Sequence, residues 1–380
     1  MQALSSAPSS LEQIASVEAT RSDALQARAW QNPRIEALVE NLNAPAADGT
    51  SQRQNTYSIN QPLELFGKRQ ARLDVADRNV DTAVTRSRQL RVAFSVELAY
   101  AYALAEAAIQ RSSLASEELN RANDDLRAAL AFVEAGREAS LRAAQARASV
   151  AAALATERAA KADVVQALEM LSALSGAQTP FQGLGASLLD VKAPVPVSLD
   201  AYETPAVVTA RAERDVLRAQ VEVERKRMLP DVSVSAGARR YGFIDTTGYQ
   251  IGVSLSVPIF DRNSSGIDAA EYRVAAAEAR LNNLLLQSQA QRRSALAQVE
   301  AADQRLSAAK DGEEAATEAY RLGRIGYDAG RTPLIELLAA RRALNEARLT
   351  TLEARLSRVR AIALLEQSEG RLAFAGEQAQ

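Results

Sequence analysis

Between Leu63 and Thr179 the chain contains no proline, and its glycines in that interval are Gly67, Gly136 and Gly176. Proline and glycine are the residues that break or end helices, so the interval predicts helices of unusual length. Positions 73, 76, 80, 83, 87, 90 and 94 recur in steps of three and four, and all but Ser87 are apolar. That is the a/d seam of a coiled coil. A helix from about residue 67 to 132 measures roughly 100 Å at about 1.5 Å per residue, more than an ordinary globular domain contains. The expectation is an elongated helical assembly. Gly136 interrupts the pattern in "FVEAGREASLRAAQAR", which predicts a helical hairpin turning at Ala135, Gly136 and Arg137.

Composition narrows the function. Aromatic residues make up 4% of the 380 positions, and a formal charge of −2 is spread among mixed signs, unlike the basic stripe of a nucleic-acid binder. Cys and His are absent, which removes thiol and imidazole nucleophiles and every Cys/His zinc site. Carboxylates remain, without a pocket-forming pattern. No enzyme, catalytic residue, cofactor or metal site is expected. No window approaches the roughly 18 to 20 apolar residues of a transmembrane helix. The start, "MQALSSAPSSLEQ", lacks the basic and apolar regions of a signal peptide, so the chain is either cytosolic or numbered from a mature or truncated end. A helix is predicted at about 11–32.

The chain then repeats itself. Pro33 matches Pro230, Pro62 matches Pro258, Gly136 matches Gly330 and Gly176 matches Gly370, at offsets of 197, 196, 194 and 194. This predicts an internal duplication. A first repeat spans 11–175, a linker 176–205, a second repeat 206–370, and a tail 371–380. Each repeat reads as helix, two strands, long helix, turn, helix, with strands at about 34–43, 55–63, 231–240 and 249–259. Hairpin tips fall near 133–140 and 327–334.

The strands alternate. In "YQIGVSLSVPIF", Tyr249, Ile251, Val253, Leu255, Val257 and Ile259 oppose Gln250, Gly252, Ser254, Ser256 and Pro258. "DVSVSAGA" and "NTYSINQPL" behave likewise, while "RIEALVENLN" sets Ile35, Ala37 and Val39 against Arg34, Glu36 and Glu40. Strands of about nine to eleven residues cross a bilayer when tilted. Four cannot close a barrel and open edges are excluded from lipid, so three copies with twelve strands are expected. Tyr241, Phe243, Tyr249 and Phe260, near strand ends, would suit an interfacial girdle.

In its order of elements, its duplication and the segment "NQPLELFGKRQAR" (60–72), the chain resembles the TolC family of outer-membrane efflux proteins, and most the heavy-metal, CzcC-like branch. The resemblance implies a mixed, mainly α fold. Long antiparallel coiled-coil hairpins form a periplasmic tunnel, and four strands per chain contribute to a twelve-stranded trimeric β-barrel in the outer membrane of a Gram-negative bacterium. It implies a passive conduit working with a periplasmic adaptor (membrane fusion protein) and a proton-driven inner-membrane pump. Pro62 and Gly67, with Pro258 and Gly266 in "DRNSSG", would mark the barrel-to-tunnel junctions. The tips Ala135, Gly136, Arg137, Ala329, Gly330 and Arg331 would meet the adaptor. Glu336 matches an acidic constriction position, the second such acid being replaced by Ala339. Arg142, in the corresponding place of the first half, would pair with Glu336 or lie exposed. A soluble coiled-coil scaffold and a periplasmic adaptor are the alternative readings.

Overall fold

A computed structural model of the protein describes residues 7–44, 49, 51–136, 139–191, 204–242, 244 and 246–374. Among these, the chain runs α1 (Pro8–Arg28), β1 (Arg34–Glu40), β2 (Gln54–Leu63), α2 (Lys68–Glu134) and α3 (Ser140–Ser175). It continues with α4 (Pro205–Arg227), β3 (Asp231–Tyr241), β4 (Thr246–Ser256), α5 (Ser264–Asp328) and α6 (Leu334–Ser368). The fold is mainly α with one four-stranded sheet, and the 67 residues of α2 and 65 of α5 match the predicted long helices. β1 stops at Glu40, short of the expected 43, because Asn41 takes a left-handed φ of 59°. β4 lies about three residues earlier than expected: Val257, Pro258 and Ile259 are outside it. The duplication is visible in the backbone, since Gly136 and Gly330, and Gly176 and Gly370, share φ values near 70°.

The residues form two compact units, each drawing on both halves of the sequence. One comprises Met1–Gln13, Arg88–Pro205 and Leu286–Gln380, the other Ile14–Ser87 and Ala206–Leu285.

The second unit holds the sheet, antiparallel throughout in the order β1-β2-β3-β4. Pro33 and Pro230 stand directly before β1 and β3, a position where the missing backbone donor costs no ladder bond. In this unit Val207, Ala210 and Leu281 pack α4 on α5. The expected seam of α2 is only half buried here, and Leu90, in the other unit, is exposed.

The first unit is built from helices packed through small residues. Ala99, Ala103 and Ala107 of α2 meet Leu352, Val359, Ile362 and Ala363 of α6, with Leu189 and Phe374 filling the same cluster. Ala101 and Ala105 meet Leu168 and Leu171 of α3. The expectation about spanning segments needs correcting: one stretch of α2 is long and apolar enough to cross a membrane by composition, yet half of it is buried against neighbours. Its hydrophobicity comes largely from alanine, which lets helix backbones approach closely. Glu106 in the same helix accepts backbone bonds from Leu188 (2.8 Å) and Leu189 (3.3 Å), and Tyr102 donates to the Ala186 carbonyl at 2.8 Å. These bonds tie the segment after α3 to α2.

Candidate functional site

The register of the sheet sorts every strand residue onto one of two faces. On one face lie the rows Ile35, Ile59, Ala236, Ile251 and Ala37, Tyr57, Ala238, Tyr249, followed by Val234, Val253 and by Leu63, Val232, Leu255. On the other lie Asn60, Ser235, Gly252 and Ser58, Gly237, Gln250 and Ser233, Ser254. The apolar face is bare: Ile35 is 81% exposed, Tyr249 87% and Ile251 85%. A soluble sheet would bury these side chains, each worth about 1.5–3 kcal/mol when taken out of water. β1 and β4 each have an outer edge that no strand covers among the described residues.

Two expectations for the strands need adjusting. Leu38 sits on the polar face beside Thr56 and Arg239, and Tyr241 is also on that face, in register with Gln54 and Thr246. Tyr241 therefore does not join an outward girdle with Tyr249, and Phe243 lies outside the described residues. Near the loop end the polar face carries charge: Arg239 donates to Thr56 Oγ1 at 3.0 Å and lies 3.7 Å from Glu40.

The junction between strand and helix explains "NQPLELFGKRQAR". Pro62 is the penultimate residue of β2, opposite Ser233. Phe66 and Gly67 then take left-handed φ values of 57° and 78°, a conformation open to glycine at little cost, and the chain turns into α2. Each basic residue that follows has a separate task. Lys68 donates to the Leu229 carbonyl at 2.7 Å and to Asp231 at 2.6 Å, fastening the start of β3. Arg69 donates to the Arg28 carbonyl at 2.8 Å. Arg72 holds Glu64 in a two-point bond through Nε and Nη2 and reaches the Ala27 carbonyl through Nη1. The sequence marked this motif but not these roles.

In the second half the equivalent of Gly67 is Asn263, with φ 53°, 196 positions on as for Pro62 and Pro258. Its side chain donates to the Glu224 carbonyl and carboxylate, both at 2.9 Å. Gly266, expected at this junction, lies inside the first turn of α5. A Cβ there would stand 2.1 Å from Asn263 Oδ1, so this glycine makes room for the asparagine rather than turning the chain. Pro258 follows β4 as expected.

In the helical unit, Gly136 and Gly330 end α2 and α5 with φ 67° and 70°, and their N–H groups bond to the carbonyls of Val133 and Tyr327. Ala135, Ala329 and Arg331 are exposed beside them, while Arg137 lies outside the described residues. Glu336 is exposed in the first turn of α6, where a carboxylate complements the helix dipole. Arg142 donates to Gln145 at 3.4 Å, and no ion pair joins it to Glu336 among the described residues.

A cluster that sequence reasoning missed lies in the same unit. Asp125 of α2, 1% exposed, binds Arg341 of α6 through Oδ2 and Arg324 of α5, at 3.2 Å, through Oδ1. Arg341 is also buried and lies 3.1 Å from Glu118. Burial pushes the carboxyls of both Asp125 and Glu118 above their ordinary values, against the pull of Arg341. Beside it, Ala129, Ala146, Tyr327, Leu334, Leu337 and Leu338 form one apolar cluster drawn from α2, α3, α5 and α6. "AARRAL" (339–344) gave no sign of which arginine turns inward, because that depends on helix rotation.

A sequence profile of the outer membrane efflux protein family matches residues 1–177 and 201–371, both halves of the duplication. The chain belongs to this family. It is 56% identical over 374 residues to the nickel-cobalt-cadmium resistance protein NccC of Alcaligenes xylosoxydans xylosoxydans, covering 98% of this chain and 86% of that one. It is 57% identical over 374 residues to the nickel and cobalt resistance protein CnrC of Cupriavidus metallidurans, covering 98% and 90%. The crystal structure of CusC superposes with a TM-score of 0.84 at 18% identity, covering 97% of this chain and 90% of that one. These likenesses bear out the heavy-metal branch and the TolC-like fold, and they set aside the scaffold and adaptor readings. Family membership assigns the chain to the outer membrane.

Proposed function

We propose that three copies of this chain close a twelve-stranded barrel and conduct divalent metal cations passively out of the cell. The observation that carries the reading is the two-faced sheet with two open edges. In lipid each unpaired backbone group costs several kcal/mol, so β4 of one copy pairs with β1 of the next until the ring closes. The bare apolar face then meets lipid. Ser58, Ser233, Ser235, Asn60 and Gln250 line water, and small uncharged side chains let hydrated ions pass without holding them.

Helices α2 and α5 leave the strand ends and carry the path into the periplasm. The tips Ala135, Gly136, Arg137, Ala329, Gly330 and Arg331 meet a periplasmic adaptor, and an inner-membrane pump supplies the energy. Glu336 from three copies forms an acidic ring that favours cations by charge alone. A chain without His or Cys offers no soft-metal ligand, so the ions pass without tight coordination. The metal-resistance names of the two relatives support cations as cargo.

The test is purification in detergent, with mass measurement and planar-bilayer recording. A trimer with steady, cation-preferring conductance is expected. A monomer without conductance overturns the reading.

A further inference from the structure

Trp30 is the chain's single tryptophan. It follows α1 and is 64% exposed. The Arg69 guanidinium lies 5.2 Å from the centre of its ring. Gln61 stands on the apolar face in register with Val234 and Val253, and its side-chain amide donates to the Gln31 carbonyl at 2.8 Å. That bond holds the backbone next to Trp30 against the helix-proximal end of the apolar face. At the same end, Leu65 and Phe66 beyond β2, and Val257, Ile259 and Phe260 beyond β4, are all exposed, Phe260 completely. The greasy face of the sheet therefore continues past its last ladder bonds.

Charge decides what could cover this end. Lys68 is matched by Asp231 and Arg72 by Glu64. Arg69, between them, has no carboxylate partner among the described residues, and its Nε is buried without an acceptor. An indole with an apolar body and a polar tip settles at the headgroup level of a bilayer. The Arg69 guanidinium beside it gives one N–H to the Arg28 carbonyl and buries Nε, and its remaining N–H groups suit a phosphate diester, which accepts charge-assisted bonds.

We propose that Trp30 and Arg69 form a binding site for the headgroup phosphate of an anionic phospholipid, at the periplasm-facing rim of the barrel. The site fixes the depth of the barrel in the bilayer from outside its strands. This rests on the membrane-inserted channel proposed above, and the experiment separates the two.

The chain is reconstituted in phosphatidylcholine vesicles with and without phosphatidylglycerol, and Trp30 fluorescence is read directly. Lipids brominated near the top of the acyl chain probe contact with the membrane, and acrylamide probes contact with water. Bromolipid quenching with weak acrylamide quenching is expected. Brominated phosphatidylglycerol is expected to quench preferentially, by about fivefold, the effect of one basic residue near an anionic surface. Arg69→Gln is expected to lose that preference while Trp30 stays quenchable by brominated phosphatidylcholine. Conductance across the same membranes reads insertion independently. Conducting protein with Trp30 open to acrylamide and untouched by bromolipid overturns the lipid site alone. The same holds for a phosphatidylglycerol preference that survives in Arg69→Gln, or for its absence in the unaltered chain. Protein that neither conducts nor inserts overturns both proposals.

Discussion

Replacing Arg341 with leucine removes the cation at the centre of the buried cluster. Asp125 then keeps only Arg324, 3.2 Å away and with its side chain 35% exposed, and Glu118 loses its neighbour at 3.1 Å. Removing one partner of a buried ion pair costs about 3–5 kcal/mol, because the remaining charge stays buried and uncompensated. For a cooperative unit on the order of 200 residues this lowers the melting temperature by about 6–10 °C, followed by far-UV circular dichroism of the protein in detergent.

The pH dependence carries a sign. The folded-state pKa of Asp125 and of Glu118 lies above the unfolded value, because burial disfavours the charged form. Between the two values the folded chain holds more protons than the unfolded one, so stability from these groups is full below the ordinary carboxylate range. It is lost as pH rises through the raised value. Arg341→Leu raises both values further, so its deficit is expected to shrink on acidification. Adding Asp125→Asn is expected to recover part of the loss through a non-additive coupling. A deficit that is independent of pH, together with a double variant no better than the single one, would refute the electrostatic account and leave only packing.

Ile251→Lys and Gln250→Lys differ by one position and one face of β4. The first is expected to cost about 2–4 kcal/mol of barrel stability at mid-bilayer depth, the second little, as measured by urea unfolding in lipid vesicles. Glu336→Ala is expected to weaken the cation preference of single-channel currents while leaving the trimer intact, and an unchanged reversal potential in a salt gradient removes the residue from the constriction. Lys68→Met leaves Asp231 and the Leu229 carbonyl without their donor. Because the Asp231 side chain is largely exposed and water can replace the donor there, a loss of about 0.5–1.5 kcal/mol, read by thermal melting, is expected, larger than for Lys310→Met on the exposed surface of α5.

Much of the fold was legible in the sequence, because long helices and alternating strands write their periods directly into it. Four prolines and four glycines at one spacing revealed the duplication before any coordinate. The strand faces followed from alternation except at positions such as Leu38, Gln61 and Tyr241, where the residue type disagrees with its parity. At the second junction, expected at Pro258 and "DRNSSG" with Gly266 singled out, the left-handed turn falls on Asn263 of that segment, because asparagine tolerates the left-handed region. The tasks of Lys68 and Arg72 were hidden for another reason. Their partners, Asp231 and the carbonyls of Leu229 and Ala27, come from other elements, and only the folded backbone brings them close. The Asp125–Arg341 pair was hidden by the same distance along the chain.

The middle of the sheet is the pairing of β2 with β3, strands that belong to different halves; Thr56 and Arg239, bonded across it, are 183 positions apart. Only after nearly two thirds of the polypeptide has emerged does β2 find its second neighbour. Until then the opening hairpin is a two-stranded ribbon with sticky margins, marginal by itself and prone to joining the wrong strand. A fragment ending at residue 175 is expected to precipitate rather than enter lipid, as sedimentation with vesicles would reveal.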